Sequence, residues 1–183
     1  MDVHIDTCPE ISSTQLWVKI FHSVTSTYYA PSDLASIGRM YQKLIRTAPC
    51  WKGGPGRYNC VYVEKDVNAS RFCGLHVACV KLFFSFLSQQ EEYLCTLVEW
   101  FSTYGNSPCE DTRLWMVEPD HDLRGKRMCS VIHVDTILRL AHLIGVAGPH
   151  FLPKNFTYRD TLDTFKTFYV NKYMDHYAHE IAF

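Results

Sequence analysis

From Leu16 the chain alternates. Leu16, Val18 and Ile20 share one face, and Trp17, Lys19 and Phe21 share the other. Aromatic and β-branched residues continue to Tyr29, so the two-residue period predicts a strand or a bent pair of strands. Residues 30–33 hold Pro31, Ser32 and Asp33 and read as a turn. Residues 38–46 fit either a short strand or a helical turn, with strand favoured. Residues 58–65 alternate and predict a strand; residues 77–86 are mostly apolar and predict another. The polar tract 88–92 separates that strand from a further one at 93–101, the clearest hairpin in the chain. Shorter strands are expected at 114–117 and 129–134, on either side of a charged turn containing Gly125. Residues 135–146 stay open between a helix, with Ile137, Leu140, Ala141 and Ile144 on one face, and a turn followed by a strand. Asp160, with Asp163 three residues on, predicts the start of a helix over 160–179. Leu162, Phe165, Phe168, Tyr169, Tyr173 and His176 recur at spacings of three and four along it.

Short strands at close intervals predict a mainly β, α+β fold. The expected architecture is a small antiparallel barrel of about six to eight strands, closed by the C-terminal amphipathic helix. Residues 1–14 are polar and irregular and read as an arm. Residues 15–183 read as a single domain. Hydrophobic residues make up 47% of the 183, enough to build a real core.

Charge changes the picture more than composition does. The net charge is −1, which excludes a polyelectrolyte tail. The distribution is uneven: residues 61–120 are acidic, whereas no acid occurs between Asp33 and Glu64. No run of roughly 18 apolar residues exists, so no membrane-spanning helix is expected. The first ten residues carry acids where a signal peptide needs bases. A nuclear or cytoplasmic, non-secreted protein follows, with its eight cysteines as free thiols. None of these lies in a C-x-x-C pair, which argues against a zinc ribbon. Cys60, Cys79, Cys95 and Cys129 fall within apolar runs and are expected in the core.

The acid-free stretch is the first candidate site. It carries Arg39, Lys43, Arg46, Lys52 and Arg57, interleaved with Tyr41, Trp51 and Tyr58. Such a mix can track a phosphate backbone while rings stack on bases. The bland alternative is a solvated hairpin loop whose Trp51 plugs the barrel. A second candidate is metal binding by His133, Asp135, His176, His179 and Glu180. His176 and His179 would share a helix face, and zinc would need one or two further ligands. The bland alternative is that these histidines cap backbone carbonyls. No metalloprotease order, no G-x-S-x-G and no evident Cys–His pair is present. A non-catalytic protein without a cofactor is the expectation. The runner-up is a fragment of a metal-dependent nuclease or hydrolase.

Several segments carry a family resemblance: Val80-Lys-Leu-Phe-Phe-Ser-Phe86, Tyr93-Leu-Cys-Thr-Leu-Val-Glu-Trp-Phe101, Val131-Ile-His-Val-Asp-Thr-Ile137, Ala141-His-Leu-Ile144 and the closing run 168–183. With Phe21-His-Ser23, residues 29–33 and Arg46-x-x-Pro49-x-Trp51, they resemble the C-terminal module of Plavaka-type transposon proteins of basidiomycete fungi. That resemblance implies a CACTA-related transposase whose catalytic acids lie in an upstream region, so no catalytic residue transfers to this chain. A weaker resemblance, through Tyr58-Asn-Cys-Val-Tyr-Val63, Val77-Ala-x-Val80 and Val98-Glu-Trp-Phe101, is to bromo-adjacent homology (BAH) domains. Those are β-barrels that engage chromatin. By analogy with aromatic-cage readers, Trp100, Phe101, Tyr104 and Trp115 become candidates to hold a methylated lysine. The implied function is an interaction module for a chromatin, protein or DNA partner; a degenerate transposon remnant without function is a further alternative.

Overall fold

The computed structural model describes residues 17–30, 37–66, 71–148, 152, 154–157, 160–174 and 178. The expected arm, 1–14, lies outside them. The described elements run β1 (Val18–Phe21), β2 (Ser23–Tyr29), β3 (Met40–Ala48), β4 (Arg57–Tyr58), β5 (Cys60–Glu64), β6 (Leu75–Ser88), β7 (Glu91–Thr103), β8 (Met116–Pro119), β9 (Cys129–His133), β10 (Ile137–Ala141), β11 (Leu143–Gly145), α1 (Thr161–Thr164) and β12 (Phe168–Val170).

Seven antiparallel strands form a nearly closed barrel in the order β10-β5-β6-β7-β8-β12-β11. The two ends of this path, β10 and β11, are separated in sequence only by His142, so the chain itself bridges the seam. The predicted hairpin at 77–101 is the spine. β6 and β7 pair from Val77↔Phe101 to Ser88↔Glu91, with one register shift between Val80 and Leu82. Gln89 and Gln90 both take positive φ, 50° and 71°, which is the twist a two-residue hairpin turn requires.

Alternation along the central strands builds two cores. Cys60 and Tyr62 on β5, Val77 and Cys79 on β6 and Phe101 on β7 face the barrel interior, where they meet Val117, Phe168 and Val170. Val61, Val63, Ala78, Val80 and Val98 face the other way and meet Phe83, Ile45 and Ile132. β5 and the first half of β6 are therefore buried on both sides. That is why residues 77–80 read as a continuous apolar run rather than an alternating one.

The second core is covered by the β2–β3 hairpin, paired from Ser23↔Arg46 to Tyr29↔Met40. Val24 and Ile45 pack inward from it, and Phe21 does so from β1. Two polar contacts fix it to β10. Ser26 Oγ donates to the Leu138 carbonyl at 3.0 Å. The Arg139 guanidinium, only 4% exposed, sits 4.0 Å from the centre of the Tyr28 ring. A cation this deep is tolerated against an aromatic face.

Several expectations are corrected. The helix expected over 160–179 is interrupted among the described residues: Thr161–Thr164 is helical, Phe168–Val170 is a strand between β8 and β11, and Ala178 is again helical. Phe168 and Val170 are both fully buried, two residues apart, which is strand alternation. The gap between β8 and β11 offers backbone partners that a continued helix could not use. Val170 N–H donates to the Trp115 carbonyl, and Val146 N–H to the Thr167 carbonyl. The Asp160 side chain does not cap the helix; it accepts from Thr157 N–H and Thr157 Oγ instead. Residues 135–146 take the second of the two readings, a 3₁₀ turn at Val134–Thr136 followed by β10 and β11. Residues 38–46 are mainly strand, entered from a 3₁₀ turn at Ile37–Arg39. Of the two faces of β1, the one carrying Phe21 turns inward, and Val18 and Ile20 remain exposed. Cys129 is exposed, not core, because alternation along β9 puts it with exposed Val131 on the face opposite buried Ile132.

Gly145 ends β11 directly under the Phe165 ring, which packs on the barrel core. A Cβ there would collide with that ring. Gly145→Ala is expected to cost about 1–3 kcal/mol in urea unfolding, as overpacking does. Gly148→Ala, where a Cβ meets nothing within 4 Å, should change stability by a few tenths at most.

Candidate nucleic-acid interface

The loop between β3 and β4 is a compact turn. Trp51 pairs with Gly54, the Gly54 N–H donates to the Trp51 carbonyl at 2.9 Å, and Lys52 and Gly53 take positive φ between them. The turn holds the Trp51 indole half-buried beside the outer face of β3. Three cations collect on the ring. The Arg46 guanidinium lies 4.5 Å from its centre, Arg57 at 5.7 Å and the Lys52 ammonium at 5.8 Å. A fourth, Lys81 on β6, lies 5.0 Å from the adjacent Tyr58 ring.

Arg46 is the best anchored of the four. Its N–H donates to Asn59 Oδ1 at 2.8 Å, and Asn59 N–H donates back to the Arg46 carbonyl at 3.0 Å. Its Nε is buried without a hydrogen-bond acceptor, so the π face is what holds the guanidinium. Among the described residues no carboxylate pairs with Arg46, Lys52 or Arg57. Lys81 differs, with Glu99 Oε1 at 3.4 Å. The result is a surface of fixed, uncompensated positive charge around aromatic rings.

Of the six residues expected here, Arg46, Trp51, Lys52 and Arg57 converge; Arg39 and Lys43 do not. Strand alternation sends Lys43 to the opposite face of β3, where its ammonium lies 5.6 Å from Tyr41. Arg39 precedes β3, roughly 20 Å from Arg46 at about 3.3 Å per residue. Lys81 and Tyr58 were not singled out as a pair in the sequence. Their meeting depends on the β5–β6 register and the local shift after Val80.

The four cage candidates are not brought together. Trp100 and Phe101 are neighbours on β7 and so face opposite sides of the sheet. Phe101 is in the barrel core, edge-on to Phe168 at 5.8 Å. Trp115 is stacked on Phe72 at 5.2 Å and packs against the same core. Tyr104 is exposed at the end of the hairpin. Trp100 packs against the second core with His76 edge-on at 5.4 Å. Packing accounts for Trp100, Phe101 and Trp115, and exposed Tyr104 stands apart from them.

Of the metal candidates, His133 and Asp135 do meet, though across a turn rather than along a strand. His133 Nδ1 lies 3.4 Å from Asp135 Oδ2 and 3.3 Å from the Asp135 N–H. With Nδ1 bare the ring accepts from that N–H; with a proton on Nδ1, in the neutral or the charged ring, it donates to the carboxylate instead. His176, His179 and Glu180 lie outside the described residues. Among the described residues no three His, Cys, Asp or Glu side chains cluster to hold a metal ion. No described helix is long and apolar enough to cross a membrane.

The His76 imidazole is held below the ordinary histidine value, first by burial and then by the Lys65 charge, against a weaker pull from Asp120. Folding thus favours the neutral ring, and the unfolded chain binds the extra proton. Its contribution is complete above about pH 6.5 and declines as pH falls below that value, until the folded ring also protonates. The urea midpoint of the wild type is expected to drop more between about pH 7 and pH 5 than that of His76→Gln.

No protein-family model, no curated protein and no solved structure matches this chain.

Proposed function

We propose that this chain is a non-catalytic interaction module, derived from a transposase-type protein, that contacts DNA through the Trp51 face. One observation carries the reading: Arg46, Lys52 and Arg57 gather on one indole with no carboxylate among the described residues to neutralise them. A ring-held guanidinium loses little freedom when it meets a phosphate, so the arrangement is pre-organised for a polyanion. The rings of Trp51 and Tyr58 add surfaces on which an unpaired base can stack. The family resemblance supports the same direction, because transposase modules work on DNA. A nuclear location belongs to the same proposal.

The test is fluorescence anisotropy with a labelled single-stranded oligonucleotide, competed by the same sequence as duplex, over a salt series. Wild type is expected to bind at low salt with affinity falling log-linearly as salt rises. Arg46→Ala and Arg57→Ala should each reduce the magnitude of the salt slope by about one. Trp51→Ala should weaken binding by about 1–3 kcal/mol. Arg39→Ala, remote from the cluster, should leave both unchanged. No binding at low salt, or equal binding by the Arg46, Trp51 and Arg57 variants, overturns the proposal.

A further inference from the structure

Cys60 on β5 and Cys79 on β6 are register partners. Val80 N–H donates to the Asn59 carbonyl at 3.0 Å, which makes 59/80 a hydrogen-bonded pair. Its neighbour, 60/79, is then a non-hydrogen-bonded pair. In such pairs the Cα atoms are about 4.5 Å apart and the side chains are at their closest. That is the short end of the range, about 4.4–6.8 Å, that a disulfide spans. Both thiols point into the barrel interior and are 7% and 2% exposed.

The pair is electrostatically uneven. The Cys79 thiol is lowered first by a hydrogen bond from Cys60, against burial, with the Lys81 and Arg127 charges assisting and the Glu99 charge opposing. The Cys60 thiol is raised, by its bond to Cys79 and then by burial. Cys79 is thus the nucleophilic sulfur and Cys60 the proton-bearing partner.

We propose that Cys60 and Cys79 form a reversible dithiol–disulfide site that takes a small peroxide as its oxidant. The Cys79 thiolate attacks one peroxide oxygen, the O–O bond breaks, and the departing hydroxide takes up a proton to become water. Cys79 then carries a sulfenic acid. The Cys60 sulfur attacks the Cys79 sulfur, the S–O bond breaks, and the leaving hydroxide takes the Cys60 proton as a second water. Two thiols lose two electrons and the peroxide gains them. Burial selects the oxidant: a molecule near the size of water reaches sulfurs that a bulky disulfide cannot. A small dithiol reverses the bridge by thiol–disulfide exchange.

The experiment treats the folded protein with equimolar hydrogen peroxide, quenches, alkylates in denaturant and maps the peptides by mass spectrometry. The expected result is a Cys60–Cys79 linked peptide, lighter by two hydrogens than the two thiol peptides, which dithiothreitol reverses. In Cys60→Ser, Cys79 should be trapped as sulfenic or sulfinic acid. Full alkylation of Cys60 and Cys79 in wild type, with oxidation confined to the exposed Cys50, Cys73 and Cys129, overturns the proposal. So does linkage of Cys60 or Cys79 to any other cysteine. The wild-type map decides even if the variant fails to fold.

Discussion

The structure depends on three adjacent strands, β5, β6 and β7, being covered on both faces. Val61, Ala78, Val80 and Val98 are buried on one side of the sheet, and Tyr62, Val77, Cys79 and Phe101 on the other. Each fully buried side chain of this size is worth about 1.5–3 kcal/mol of transfer free energy. A one-residue slip of β6 against its neighbours would exchange the contents of the two cores. The pairing register is therefore strongly specified, and every other element is placed by which core it completes.

The barrel strands β8, β11 and β12 and the short helix complete the inner core. The β2–β3 hairpin and β9 complete the outer one. These two groups meet through β10, whose Arg139 is sunk against Tyr28 while Leu140 packs against the outer core. The hairpin also carries Arg46, so the surface bearing the positive cluster is fixed to the barrel by the same contacts that close the second core. The dithiol lies on the inner face of the same three strands, one residue from Asn59, which anchors Arg46. Site and core are thus joined through a single backbone crossing.

Much of the β architecture is legible along the chain. The 77–101 hairpin, the turn at 120–126 and the strands near 58–65 and 129–134 announce themselves because alternation and turn chemistry are local. The interruption of the expected C-terminal helix at Phe168–Val170 has a physical reason. Phe165, Phe168 and Tyr169 satisfy a helical spacing, yet Phe168 and Val170 satisfy a strand spacing equally well. The vacancy between β8 and β11, invisible in sequence, settles the matter by offering backbone partners.

The candidate site divides along the same line. The sequence by itself determined that residues 34–63 are free of acid and rich in cations and rings, and that the fold is mainly β. Only the tertiary structure decided which of those cations act together. Strand alternation sends Lys43 away and keeps Arg46 beside Trp51, and the β5–β6 register brings Lys81 to Tyr58 from a distant segment. It also dispersed Trp100, Phe101 and Trp115 into packing, and set Cys60 opposite Cys79. Composition and local periodicity fix what a segment can form. Which side chains meet is a property of strand pairing between segments far apart in the chain, and that is set by the burial of the whole sheet.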